Sequence, residues 1–531
     1  MRVLDDATKL AVDAVIQRNL ALIRAVPGFV KVEPGFPVVD GAILREPAIL
    51  IFVKQKKPAD NLLREERAPR QLEAYRVCVM QADPHQQIEA LEAFSDVNAM
   101  VVASASDLTY EPLEGSRINE VFEVSGSFLC HVGPDAGWPV LKPFLEATRE
   151  NLSVAMYDFN ADYIAKTFID SVRSNGLAVT LTWDDGMTEP EKEIRVKLRS
   201  SLGTALDGWI VRCGGGRRFA SAYHEKVAVR DSSAFWLSSG NWSLRSQPNI
   251  DPIAVPAQAR GMYGKGNREW HVIIEDGPLA KLFEDYIRHD RDGSKKEKQQ
   301  GDGSVVLSEE DSLRLPDLFV PIDQFAAPVE LSVPEPVAPR AFRPSQGSIK
   351  VQPLLTPDNY LGHIEKLLEA ARSSIYLQYS YITYSDALAD RGFTNLLRRL
   401  GDLSYRPGLD LRIIVGSGDA TNKIRKLAQA GFRESVFRVQ SNVHNKGIIV
   451  DGETVLVSSA NWSGDGVLRN RDAGLIIHDR EIATYYQTVF LDDWDNRART
   501  TLGDDPPVLV AEPDAPIPPG MVRMSWRDYY G

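Results

Sequence analysis

With 531 residues and 59.0 kDa, the chain is too long for one hydrophobic core and suits two or three domains. Hydrophobic residues make up 43 % and charged residues 25 %, which excludes wholesale disorder. The 61 Lys and Arg stand against 73 Asp and Glu, a formal charge of −12; this argues against non-specific coating of nucleic acid or anionic membrane but leaves room for a small basic cleft.

From the N-terminus, Leu10, Val12, Val15, Ile16, Leu20 and Ile23 recur at helical spacing and predict an amphipathic helix ended by Pro27-Gly28. Asp5, Asp6, Lys9 and Asp13 speak against a secretory signal. The all-apolar run Ala48 to Val53 predicts a buried strand. Residues 1–120 carry no chemical constellation and read as a small accessory α/β domain. Residues 293–350 open on GSKKEKQQGDG, and eight prolines fall from Pro316 to Pro353, which predicts an extended linker without helix or central strand. The tail, 501–531, has six prolines between Pro506 and Pro519 and ends on Trp526, Tyr529 and Tyr530; it is expected to pack back on its own domain. Three cysteines without a CxxC pair support neither a disulfide framework nor a zinc site, and together with the absence of a long apolar run they point to the cytoplasm.

Between these stretches, segments 121–292 and 351–500 repeat one another. FLEATRENLSVAMYDF (144–159) matches LLEAARSSIYLQYSY (367–381), and GLAVTLTWDDG (176–186) matches GLDLRIIVGSG (408–418). HEKVAVRD with SSGNWS matches HNKGIIVD with SSANWS at a constant offset of 220 residues, and NREWHVII (267–274) matches NRDAGLII (470–477). Each half alternates strand and helix patterns, so the expected fold is α/β, two pseudo-symmetric repeats each with a sheet flanked by helices.

In both copies His and Lys stand two apart, His224 with Lys226 and His444 with Lys446, at the start of an apolar run. On a strand this spacing puts imidazole and ammonium on one face, at the edge of a buried sheet. With Asp231, Ser239 and Asn241, then Asp451, Ser459 and Asn461, both copies resemble the phospholipase D superfamily, whose signature is HxK, four residues, Asp, six residues, Gly-Ser-x-Asn. The shared departure is Ser238 and Ser458 in place of that Gly.

The resemblance implies two-step phosphodiester exchange without cofactor. One His attacks phosphorus and becomes a phosphohistidine; the other protonates the leaving oxygen and then activates water or an alcohol. It implies His224 as nucleophile and His444 as acid/base, with Lys226, Lys446, Asn241, Asn461 and the hydroxyls of Ser239 and Ser459 holding the non-bridging oxygens. An acid following the motif commonly holds the second ring nitrogen; Glu269, 45 residues after His224, and Asp472, 28 after His444, each close an Asn-Arg-acid triplet. Asp231 and Asp451 are expected to tie down the turn after the strand, a structural role.

Arg217 and Arg218, after Gly214-Gly215-Gly216 and just before His224, are expected at the cleft rim. Lys423, Arg425 and Lys426 read as an exposed helix face, and no metal-ligand spacing emerges. The leading expectation is a monomeric phospholipid-processing phosphodiesterase, hydrolytic or transferring, with both half-sites in one chain and peripheral membrane contact but no transmembrane segment. A metal-independent nuclease of DNA or RNA is the alternative, and a non-catalytic binding or scaffold protein the remote one.

Overall fold

The computed structural model describes residues 3–94, 108–134, 136–186, 188–250, 266–300, 316–322, 341–345, 347–512 and 514–530. Two eight-stranded sheets with the same strand order form its centre. The first runs Leu206–Val211, Ala178–Asp184, Asn151–Met156, Lys226–Arg230, Ala234–Ser238, Trp270–Glu275, Phe128–Val132 and Ala341–Phe342. The second runs Phe437–Gln440, Asp410–Gly416, Ser374–Tyr379, Lys446–Val450, Thr454–Ser458, Ala473–His478, Ile349–Leu355 and Phe122–Val124. In each, the first three strands are parallel and the remainder antiparallel.

The edges are exchanged. Phe122–Val124, at the start of the first repeat, completes the second sheet, while Ala341–Phe342, from the proline-rich stretch, completes the first. One core lies between the sheets and is filled from both halves, by Leu279, Phe283 and Ile287 on helix Gly277–Gln300 and by Ile482, Tyr486 and Phe490 on helix Arg480–Asp492. Separate cores cover the outer faces, one built on Phe168 and Leu198, the other on Leu397 and Leu427. The halves approach closely at the centre: a Cβ at Gly447 would lie 2.3 Å from the Trp270 ring.

Two sequence expectations for 293–350 give way. Helix Gly277–Gln300 continues through the start of the polar stretch, because Arg291 and Lys295 pair with Asp207 and Ser294 is buried. Leu318–Pro321 is the central strand of a three-stranded sheet, flanked by Leu509–Val510 and Met521–Met524 of the tail. Three consecutive apolar residues, Leu318, Phe319 and Val320, supply the buried strand, and Pro321 falls at its end.

The N-terminal region forms a four-stranded sheet in which Ala48–Val53 is buried along its whole length. It docks on the second half through Arg425, which is fully buried and reaches Glu33 at 2.9 Å, in contrast to the exposed face expected of it. Among the described residues, no helix is long and apolar enough to cross a membrane.

Candidate active site

The HxK segments lie at the junction of the two halves. His224 and His444 immediately precede strands Lys226–Arg230 and Lys446–Val450, whose first residues are the two lysines. The intervening Glu225 and Asn445 point the other way, accepting from Tyr223 Oη and donating to Gln378 respectively. All four catalytic candidates are nearly or wholly buried.

The pinning of the rings is crossed. His224 Nδ1 lies 2.7 Å from Asp472 Oδ1, and His444 Nδ1 lies 2.7 Å from Glu269 Oε1. Each acid thus serves the histidine of the opposite half, not the one that precedes it in its own. A ring whose Nδ1–H is held by a carboxylate presents Nε2 for chemistry. The main chains are stitched in the same sense: His224 N donates to Arg471 O at 2.7 Å and His444 N to Arg268 O at 3.1 Å.

Lys226 Nζ donates to His224 O at 2.9 Å and lies 4.8 Å above the Tyr157 ring. Lys446 Nζ donates to His444 O at 2.6 Å, sits 2.8 Å from His444 Nε2, and reaches across to Ser239 O at 3.4 Å. Burial moves these groups together. It pushes His224 down to about 4, aided by Lys226 and opposed by Asp472, and it pushes His444 below its ordinary value. Lys446 falls to about 7 through burial, opposed by the two acids, and Lys226 falls well below its usual range through burial and repulsion from Lys446. Burial works against ionisation of Glu269, yet His444 and Lys446 hold it at about 2.

Ser239 and Ser459 do not offer their protons to a phosphate as expected. Ser239 Oγ donates to Glu269 Oε2 at 2.6 Å and Ser459 Oγ to Asp472 Oδ1 at 2.8 Å, while each accepts a backbone N–H at 3.0 Å. A buried carboxylate is the strongest acceptor in reach, so the hydroxyls brace the acids. Asn241 and Asn461 are buried with Oδ1 unmatched by any hydrogen bond among the described residues. Ser238 and Ser458, in place of Gly, are not among the residues with positive φ, and their hydroxyls close the turn by accepting from Gly240 N and Ala460 N.

Asp231 and Asp451 stand at the far ends of their strands with φ of 53° and 56°. Each accepts three consecutive backbone N–H groups, from Arg149 to Asn151 and from Arg372 to Ser374. Arg218 is a correction. Its guanidinium is buried, with the Tyr110 ring at 5.1 Å and Asp290 Oδ1 at 3.4 Å from Nη2. Arg217 is half-buried and does not line the cleft described next.

A cavity of about 230 Å³ opens onto His444, lined by Asp158, Asn241, Arg245, Lys423 and Tyr530 among others. Of these only Asn241 and His444 were assigned to the site from sequence. Asp158 and Tyr381 occupy equivalent places beyond the matched strands, a signal the repeat alignment contained. Lys423 Nζ lies 5.0 Å from the rings of both Tyr381 and Tyr530, so the tail reaches the cleft itself. Among the described residues the one group with metal-ligand proximity is Asp184, Asp185 and Cys213, and Asp184 there already accepts Tyr223 N at 2.7 Å and Gly186 N at 3.0 Å.

The chain is similar to several known proteins. The family model described as cardiolipin synthase, PLD-like domain matches residues 364–494. The protein named phospholipase D of Rickettsia felis is 31 % identical over 137 residues, and that of Rickettsia conorii 30 %. The match takes in 25 % of this chain and spans 62 % of those relatives' length. Among solved structures, phosphatidylserine synthase of Haemophilus influenzae is similar over 70 % of this chain and 89 % of its own, at 13 % identity and a TM-score of 0.43. Nuc of Salmonella typhimurium, titled a phospholipase D family member, is similar over 28 % and 95 %, at 23 % identity and a TM-score of 0.24.

Proposed function

The chain belongs to the phospholipase D superfamily, and from that premise we propose that it is a phosphodiesterase that cleaves or transfers phospholipid head groups through a phosphohistidine. The observation that carries this reading is the crossed pair of imidazoles, each with Nδ1 on a buried carboxylate of the other half.

His224 Nε2 attacks phosphorus and the P–O bond to the leaving alcohol breaks. His444, as the imidazolium, gives that oxygen its proton. It then removes a proton from water or an acceptor alcohol, which displaces His224 from phosphorus and restores both rings. The order is supported by an asymmetry: both lysines donate to the carbonyl of their own histidine, but Lys446 Nζ also sits 2.8 Å from His444 Nε2, a ready proton partner, whereas Lys226 lies over the Tyr157 ring. The two ammonium groups and the amides of Asn241 and Asn461 supply charge and hydrogen bonds to the non-bridging oxygens as phosphorus becomes five-coordinate. Asp472 and Glu269 keep each ring in the required tautomer and stabilise its cationic form.

Three observations support a lipid substrate. The curated relatives carry the name phospholipase D, and the family model that of a lipid synthase domain. The cavity is polar and suits a phosphate with a small alcohol, while Leu244, on its wall and 51 % exposed, offers apolar surface beside it. The net charge of −12 is unfavourable for a polyanion. Both half-sites lie in one chain, which supports a monomer, and three free cysteines support a reducing, cytoplasmic setting. The test is incubation with phosphatidylcholine–phosphatidylglycerol vesicles and, separately, with single- and double-stranded DNA. Release or exchange of head group with intact DNA is the expected result. Cleavage of DNA without lipid turnover overturns the substrate assignment.

A further inference from the structure

The Asn-Arg-acid triplets contain, beside the acid, an arginine for which the chemistry above has no use. Arg268 is buried and forks onto Asp493, with Nε to Oδ2 at 2.7 Å and Nη2 to Oδ1 at 3.0 Å; its Nη1 donates to Gly133 O at 2.6 Å. Arg471 is fully buried and forks onto Asp290 with both contacts at 2.7 Å; its Nη1 donates to Thr356 O at 2.9 Å and to Asp358 Oδ2 at 2.8 Å. These are the same interaction twice. Arg268 and Arg471 lie 203 positions apart, as do Glu269 and Asp472, and Asp290 and Asp493.

The connections are again crossed. Arg268 belongs to the first repeat and Asp493 follows the last long helix of the second; Arg471 belongs to the second and Asp290 sits on helix Gly277–Gln300 of the first. Each arginine's backbone is tied to the segment of the histidine it lies beside. Arg268 N donates to Asn442 O at 2.7 Å and Arg268 O accepts from His444 N; Arg471 N donates to Ala222 O at 3.1 Å and Arg471 O accepts from His224 N. The residue after each arginine then holds that histidine's Nδ1. A planar guanidinium fixed at two carboxylate oxygens and a carbonyl cannot slide or rotate, so it fixes the backbone that carries the acid.

We propose that Arg268–Asp493 and Arg471–Asp290 are two crossed positioning pairs, the first holding Glu269 and His444 in place and the second holding Asp472 and His224. Asp290, Asp493 and the two arginines are thereby positioning residues, not catalytic ones. The inference rests on the two-histidine reading above and makes the two pairs separable by function. Loosening Arg471–Asp290 impairs the nucleophile; loosening Arg268–Asp493 impairs the acid/base.

The test uses Asp290→Asn and Asp493→Asn in the full chain, with rapid-quench measurement of phosphohistidine on a p-nitrophenyl and on an alkyl phosphodiester. D290N is expected to slow adduct formation roughly 100-fold with either leaving group. D493N is expected to slow it by a similar factor with the alkyl leaving group only, and to accumulate adduct from the p-nitrophenyl substrate because its breakdown needs His444. Substrate-free spectra of the imidazole Nδ1 protons give an independent readout: D290N should move the His224 signal and leave that of His444, and D493N the reverse. If the asparagine variants are insoluble, R471K and R268K keep the cation, lose the fork, and are read in the same way. Wild-type kinetics and spectra in both variants overturn the proposal, and so does an identical loss in both with both signals displaced. A wild-type protein that forms no adduct removes the functional reading, while the spectra still decide the crossed positioning.

Discussion

Glu269→Gln isolates the contribution of one negative charge. Glu269 is fully buried and accepts from three groups: His444 Nδ1 at 2.7 Å, Ser239 Oγ at 2.6 Å and Ser246 Oγ at 2.9 Å. Glutamine has the same shape. With its oxygen toward His444 and Ser246, its NH₂ meets Ser239 Oγ, whose proton can turn to Trp270 O, already 3.4 Å away. The ring is then still held, but the imidazolium formed in the reaction faces a neutral amide. A hydrogen bond to a charged partner is worth about 1.5–3 kcal/mol, against about 1 for a neutral one. The loss is therefore about 10-fold at the centre of that range, and with the amide reversed and Nδ1 facing NH₂ it approaches the roughly 10⁴-fold of a misplaced tautomer. The pH dependence carries the sign. Glu269 raises the proton affinity of His444, which burial and Lys446 lower. Its removal lowers that affinity further, so the protonated acid is scarcer near neutrality and the optimum moves to lower pH. Initial rates on alkyl and p-nitrophenyl phosphodiesters, between about pH 5 and 9, check this. The p-nitrophenyl substrate should recover most of its first-step rate. Rates within about threefold of wild type and an unmoved pH profile would refute the reasoning.

His224→Ala should abolish the adduct and lower turnover by several decades, whereas His444→Ala should be partly rescued by a good leaving group; mapping the trapped adduct decides the assignment. Activity in excess EDTA should equal that without it, since nucleophile, acid and charge stabilisers are all side chains; loss restored by added divalent metal would contradict this. Asp231→Ala or Asp451→Ala leaves three turn N–H groups without their acceptor and should cost about 2–4 kcal/mol of stability in a denaturant titration, with turnover per folded molecule retained. Acid should unfold the protein early. Burial holds His224 and His271 near 4, below their unfolded value, so the stability they contribute is complete above about pH 6.5 and is lost as pH falls toward 4; melting temperatures across that range should drop steeply.

The repeat, the two HxK segments, the acids that follow them and the turn role open to Asp231 and Asp451 are legible in the chain alone. These follow from short-range rules: residue identity, period-two strand geometry and a spacing kept twice. The same rules contained a further signal, the 203-residue offset that links Asp290 with Asp493, beyond the span of the matched blocks. Partnership between the halves is set only when the chain packs. That Glu269 holds His444 and Asp472 holds His224 depends on how two sheets meet, since spacing along the chain places each acid nearest the histidine of its own repeat. Burial of Arg218, the bracing by Ser239 and Ser459, and the arrival of Tyr530 at the cleft have the same origin. Each is set by which buried polar group finds its acceptor once solvent is excluded, and that competition is settled between segments hundreds of residues apart.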